Sequence, residues 1–173
     1  ELASEGVDVV CHEAEKPFIE GTKQFSRLDP ETLKITLDFM PESLRSEMQQ
    51  LVTEAKAYKG VTVTSTVDDG DVLSFGGGIT VIHTPGHTEG HLCFYLNKSG
   101  ILVAGDELDL IDGELFGPKH GLSADEDEAY ASIAKLTKYD IKDVLCYHGG
   151  LFTGNARERI AELANVVPCG KER

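Results

Sequence analysis

Basic residues are scarce in this chain. Lys and Arg together number 16 against 30 Asp and Glu, a formal net charge of −14. Nucleic-acid backbones and anionic membranes need clustered Lys and Arg, so neither is an expected partner. Long apolar runs are also missing. No stretch approaches the roughly 18–20 residues of a membrane span, and no secretory h-region opens the chain. The four cysteines (Cys11, Cys93, Cys146, Cys169) show no C-x-x-C spacing. A disulfide framework is a poor expectation for an acidic domain of this size, and Cys93 and Cys146 sit in apolar runs. Reduced, buried thiols and a cytoplasmic setting are expected. The glycine triplet Gly76-Gly77-Gly78 has no Lys-Ser/Thr after it, which excludes a P-loop, and no Ser-His-Asp signature occurs. Internal repeats, low-complexity tracts and evident linkers are absent. What remains is 173 residues with 40% apolar and 27% charged content. That composition belongs to a globular chain, expected to form one domain over residues 1–173. The first residue is Glu1, so a processed or trimmed terminus is expected.

The β-branched run Val7–His12 predicts a strand. Glu42 to Lys59 predicts a helix, with Leu44, Met48, Leu51, Val52, Ala55 and Tyr58 in one core-facing stripe, Pro41 in its first turn and Gly60 as its stop. Val61–Val67 alternates strictly, and Asp68-Asp69-Gly70 reads as a turn. Val72–Phe75, Ile79–His83, Leu92–Leu96 and Ile101–Ala104 read as short strands. Ser123 to Tyr139 predicts a helix with a Ser123/Glu126 capping box. Asp143–Tyr147 predicts a strand, and Asn155 caps a last helix through Val166. The order gives an α/β or α+β fold with a mixed sheet.

Acidity is concentrated between Asp106 and Glu128, where nine acids face one base, Lys119. The plain reading is a solvated loop followed by a charged helical turn. The alternative is that one or two of these carboxylates bind a cation.

The segment Ile82 to Leu92 reads I-H-T-P-G-H-T-E-G-H-L. His83, His87 and His91 are spaced by four, but Pro85, Gly86 and Gly90 exclude a helix. The segment is a turn after a strand, with His87 directed off the sheet edge, where a neutral imidazole can ligate a metal. A second strand ends in Ala104-Gly105-Asp106, and a third in Tyr147-His148-Gly149-Gly150. Three strands thus end in His, Asp and His, each beside glycine. Convergence of such residues at one sheet edge builds catalytic metal sites, and imidazole with carboxylate suits Zn, Fe or Mn.

T-P-G-H-T-x-G-H, a strand ending in G-D and a strand ending in H-G-G, in that order, resemble the metallo-β-lactamase superfamily of hydrolases. The resemblance covers essentially the whole chain. It implies an αββα sandwich in which His87 belongs to the first metal site, Asp106 bridges two zinc ions and takes part in catalysis, and His148 serves the second site. It further implies a metal-activated water acting on a thioester, lactone or related ester of a small-molecule substrate. His120, in the Gly117–Gly121 loop, would lie at the active-site rim and touch substrate. Lactone-cleaving members carry Tyr three residues after the bridging Asp; here Asp109 stands there, which weighs against lactones. His91 is expected to hold the turn by hydrogen bonds, His83 to be a strand-end polar residue and Tyr147 to lie in the core.

The superfamily's H-x-H-x-D-H motif has no counterpart in this sequence. His12-Glu13 does not repeat its spacing. The resemblance therefore implies a domain without its N-terminal strands and first metal-binding motif, with partial or no metal occupancy. An alternative expectation is a truncated, catalytically silent fragment or a binding or scaffold module. A homodimer or a swapped assembly would then cover the exposed sheet edge.

Overall fold

Apolar runs of five residues, rich in Val, Ile and Leu and bounded by glycine or asparagine, are too short for helices and long enough to pair. They set the frame of the molecule. The computed structural model describes residues 5–24, 37–38, 41–118 and 122–166. In chain order the elements are β1 (Val10–Cys11), a 3-10 turn (Glu13–Glu15), α1 (Lys16–Ile19), α2 (Glu42–Ala57), β2 (Ser65–Thr66), β3 (Val72–Leu73), β4 (Ile79–His83), β5 (Leu92–Leu96), β6 (Ile101–Gly105), β7 (Asp109–Ile111), β8 (Glu114–Phe116), α3 (Glu126–Leu136), β9 (Asp143–Cys146), β10 (Gly150–Thr153) and α4 (Ala156–Leu163). The result is a mixed α+β fold. No helix among the described residues is long and apolar enough to cross a membrane.

The chain divides into two compact units, one of residues 1–10 and 16–65, the other of residues 11–15 and 66–173. In the first, the chain returns to α1 after α2. Val61 N–H donates to the Ile19 carbonyl at 2.8 Å and the Tyr58 hydroxyl to the same oxygen at 2.7 Å. Gly60 permits this approach, since a Cβ there would lie 2.2 Å from the Glu20 carbonyl oxygen. The predicted apolar stripe of α2 is buried only in part: Val52 is buried, whereas Ala55 and Tyr58 are exposed.

In the second unit a six-stranded sheet runs β10-β9-β6-β5-β4-β3. All neighbours are antiparallel except β6 and β9, which run parallel. A parallel pair needs a long crossover, and the stretch holding α3 provides it. Ile82, Leu102, Ala104 and Val144 of the sheet, with Ile133 and Leu136 of α3 and Ile160 and Leu163 of α4, form one buried core. Leu108 and Leu115, flanking and within the β7–β8 hairpin, join it.

Several boundaries differ from the sequence reading. Val7–His12 and Val61–Val67 contribute only two regular strand residues each. Helix α3 is capped by Asp125, whose Oδ1 accepts the Glu128 N–H at 2.9 Å, and the Ser123 hydroxyl makes no hydrogen bond among the described residues. Asp125 sits three residues before its donor, as a cap requires, so Ser123 falls outside the helix. Asp125→Ala is expected to cost about 1 kcal/mol of stability, read from denaturant unfolding midpoints. Strand β9 ends at Cys146, so alternation does not extend to Tyr147, which is 76% exposed and not in the core.

Candidate metal centre

Strand direction explains why three distant residues meet. Strand β6 is parallel to β9 and antiparallel to β5, and β5 is antiparallel to β4. Hence β4, β6 and β9 point the same way and end at one edge. The carboxyl ends of strands are where open α/β sheets place their sites. His87 follows β4, Asp106 follows β6 by one residue, and His148 follows β9 by two.

The loop from Thr84 to His91 is held by α3 and the residues before it. Asp125 N–H donates to the Gly86 carbonyl at 2.9 Å and Ala124 N–H to the His87 carbonyl at 3.1 Å. The Ser132 hydroxyl donates to the Pro85 carbonyl at 2.8 Å, and Lys135 Nζ to the His83 carbonyl at 2.6 Å. On the other side, Leu110 N–H donates to the His148 carbonyl at 3.2 Å. The Tyr147 ring meets the His148 ring edge-on at 4.8 Å.

The two imidazoles address opposite oxygens of one carboxylate. His87 Nε2 lies 3.7 Å from Asp106 Oδ2, and His148 Nε2 lies 3.4 Å from Asp106 Oδ1. Both separations exceed the usual length of an N–H···O bond. They approach the roughly 3.3–3.6 Å between two ligand atoms sharing a tetrahedral metal with bonds of about 2.0–2.2 Å. Two neutral imidazoles and a carboxylate suit zinc, iron or manganese. The donor set therefore fits a divalent metal, with one carboxylate oxygen and one histidine on each side. The three side chains are 26%, 32% and 58% exposed for His87, Asp106 and His148, so the edge is open to solvent and solutes.

Behind this edge Thr84, Cys93 and Glu107 are wholly buried. His91 donates to or accepts from Thr84 Oγ1 through Nδ1 at 2.8 Å, and its Nε2 accepts the Asp106 N–H at 3.1 Å. Burial, reinforced by the neighbouring His87 charge, lowers its pKa to about 4. The sequence expectation that His91 holds the turn by hydrogen bonds agrees with these contacts. Glu107 is fully buried and neither carboxylate oxygen has a hydrogen-bond partner among the described residues. Burial pushes its carboxyl up to about 9, against the pull of Lys135. Asp109 is buried too. These two acids correct the picture of a wholly solvated acidic loop: Leu108 packs into the core and carries its neighbours with it. Because the folded carboxyl holds its proton more tightly than the unfolded one, stability is full below the ordinary pKa of 4.5 and falls as pH rises toward 9. Glu107→Gln is expected to flatten that fall. Melting curves at pH 5 and pH 8 check it, and an unchanged difference between them would refute it.

A second constellation lies on the same unit. His12, Asp68 and His83 each offer a ligand atom within 4.8 Å of the other two. The His12 and His83 rings are stacked at 4.1 Å with planes 11° apart, which leaves their lone pairs side by side and not convergent. His12 Nδ1 accepts the Ala14 N–H, and His83 Nε2 bonds the Glu89 carbonyl at 2.9 Å. With Glu15 accepting the Gly90 N–H at 2.8 Å, these contacts brace the His87 loop from its outer side. Sequence spacing could not reveal this group, because its members come from three separate segments.

Thus the structure brings His87, Asp106 and His148 together. His120, the expected substrate contact, lies outside the described residues, as does Cys169. Cys11, Cys93 and Cys146 are buried, and no disulfide joins them to one another. Burial raises the thiol of Cys93 strongly, with Glu107 adding to it, and that of Cys146 to about 11, so neither is a ready nucleophile.

Comparison with known proteins bears on this edge. The sequence model of the metallo-beta-lactamase superfamily matches residues 6–148. The probable metallo-hydrolase YflN of Bacillus subtilis (strain 168) is 28% identical over 171 residues, covering 92% of this chain and 61% of that protein. A hydroxyacylglutathione hydrolase of Francisella philomiragia subsp. philomiragia is 37% identical over 75 residues, 43% of this chain and 29% of that enzyme. This chain therefore spans less than two thirds of these relatives. Among solved structures, the metallo-beta-lactamase family protein TTHA1429 of Thermus thermophilus superposes with a TM-score of 0.61 at 25% identity, covering 92% of this chain and 53% of that one.

Proposed function

This chain belongs to the metallo-beta-lactamase superfamily, and from that premise we propose that His87, Asp106 and His148 help hold a pair of divalent metal ions, zinc first among them, in a hydrolase of thioesters or related esters. The observation that carries the reading is the pair of histidines facing opposite oxygens of Asp106. When bound, such metals would supply Lewis acidity, lowering the pKa of coordinated water and polarising a carbonyl. Asp106 would hold them through its two carboxylate oxygens. His87 and His148 supply neutral imidazole nitrogens from the two flanking loops. The partly exposed edge admits a small-molecule substrate, and the buried thiols fit a reducing, cytoplasmic setting.

Similarity to a hydroxyacylglutathione hydrolase favours a thioester. Asp109 is buried and gives no phenol at the edge, which places lactones second.

Three side chains shared between two ions leave each short of the three protein ligands of a catalytic zinc. The sequence holds no H-x-H-x-D-H. This favours one other reading, in which the chain is silent by itself and acts as a binding or scaffold module, or is completed by a second chain.

The experiment is metal analysis for zinc, iron and manganese together with turnover on a hydroxyacylglutathione thioester and a lactone panel. Two metals with thioester hydrolysis support the first reading. Two metals with no hydrolysis of any ester overturn it, and substoichiometric, weakly held metal favours the second.

A further inference from the structure

We propose that His91 is the positioning residue for Asp106, acting as a hydrogen-bond acceptor for its peptide and not as a metal ligand; this rests on the metal reading above. The hydrogen bonds around His91 have only one consistent direction. The Asp106 N–H donates to His91 Nε2 at 3.1 Å, so Nε2 carries the lone pair. A neutral imidazole then has its proton on Nδ1, which donates to Thr84 Oγ1 at 2.8 Å. The Thr84 hydroxyl proton is left for Cys93 Sγ at 3.4 Å, and the Cys93 thiol donates to the Ala104 carbonyl at 3.3 Å.

The circuit leaves the chain at Asp106 and returns to it two residues earlier, at Ala104. It runs through β4's end, β5 and β6, and Thr84, Cys93 and Ala104 are wholly buried. A buried polar network with each donor matched is rigid. Asp106 is the first residue beyond β6: the carbonyl side of its peptide, Gly105 O, accepts the Tyr147 N–H at 3.2 Å, and His91 holds the N–H side. Gly105 is part of the same device. Its φ is +58°, and a Cβ there would lie 2.6 Å from His91 Nε2, so only glycine lets the imidazole reach the next peptide. The G-D pair and the second histidine of G-H-T-x-G-H are thereby one unit, although 15 residues separate His91 from Asp106.

Two variants separate positioning from mere packing. The amide oxygen of Gln reaches where Nε2 sits, so His91→Gln keeps an acceptor for the Asp106 N–H. Asn reaches only as far as Nδ1, so His91→Asn keeps the Thr84 partner and loses Asp106. Zinc affinity is measured by chelator competition for the parent and both variants. His91→Gln is expected to stay within severalfold of the parent, and His91→Asn to lose about 10–100-fold, the range for outer partners of metal ligands. Equal affinities for the two variants would overturn the proposal. Independently of metal, long-range 1H–15N correlation on the metal-free parent is expected to place the His91 proton on Nδ1. A proton on Nε2, or zinc bound directly at His91, would overturn it as well. A parent that binds no zinc defeats the metal reading and leaves the tautomer measurement to decide the role of His91. That measurement also decides if either variant fails to fold.

Discussion

Asp106→Asn is expected to weaken zinc binding by roughly a hundredfold or more, beyond the 10–100-fold typical of losing an outer partner. The amide keeps the size of the carboxylate and one acceptor oxygen. It removes the charge and turns the other oxygen into an NH2 group whose hydrogens face a cation. In the parent each oxygen has its own histidine, at 3.7 Å for His87 and 3.4 Å for His148. The substitution therefore damages at least one of the two positions whichever way the amide turns. The backbone N–H of residue 106 still reaches His91, so the loop after β6 keeps its anchor. Chelator competition measures the affinity, and thermal melting of the metal-free protein checks that the fold survives. Equal zinc affinity in parent and variant would remove Asp106 from the centre. A loss confined to stability would make it a structural carboxylate between two imidazoles.

Much of this edge is legible in the sequence, for a physical reason. Strands β4 and β5 occur with the bounds that their apolar runs give, and β6 extends one residue further. These strands are central, with residues buried or half-buried along their length, which leaves an unambiguous apolar run. Gly86-His87 in the loop after β4 and Gly105-Asp106 at the end of β6 mark where the chain leaves the sheet. Peripheral elements are less legible. The alternating Val61–Val67 run forms regular strand only at Ser65–Thr66; Val61, Thr64 and Val67 donate to the carbonyls of Ile19, Val9 and Cys11, so its partners are divided between separate segments, which alternation alone does not report. Strand β10 follows a glycine pair that reads as a terminus. The β7–β8 hairpin is signalled by Asp112-Gly113 between Leu110-Ile111 and Glu114-Leu115-Phe116, with both φ values positive at 51° and 82°, a two-residue turn of the favoured kind. The density of charge around it conceals that signal. Charge density likewise says nothing about Glu107, whose burial depends on Leu108 being drawn into a core assembled from distant strands. The directed circuit of His91, Thr84 and Cys93 is tertiary in the same sense: spacing places the imidazole near the turn, and only the pairing of β4, β5 and β6 decides what it touches.

Gly86→Ala tests how tightly His87 is fixed to α3. Gly86 has φ +134°, and a Cβ there would lie 2.1 Å from the Ala129 backbone nitrogen and 2.3 Å from its Cα. These are helix backbone atoms and cannot swing aside as a side chain would. The Asp125 N–H bond to the Gly86 carbonyl, at 2.9 Å, holds the loop against the helix start at the same point. Relief requires the loop and α3 to part, carrying His87 away from Asp106. Unfavourable backbone conformation costs of order 1–3 kcal/mol, and overpacking a further roughly 1–3 kcal/mol, so a total of several kcal/mol is expected. Gly113→Ala is the matched control. Its φ is also positive, at +82°, but nothing lies within 4 Å of the added Cβ. It should lose only about 1–2 kcal/mol, the cost of the left-handed backbone alone. Denaturant unfolding of both variants separates the two contributions. If Gly86→Ala falls no further than Gly113→Ala, the loop yields without disturbing the helix, and the attachment of His87 to α3 is looser than these contacts imply. If it falls further and zinc affinity falls with it, the glycine before His87 serves the metal centre through steric fit to α3.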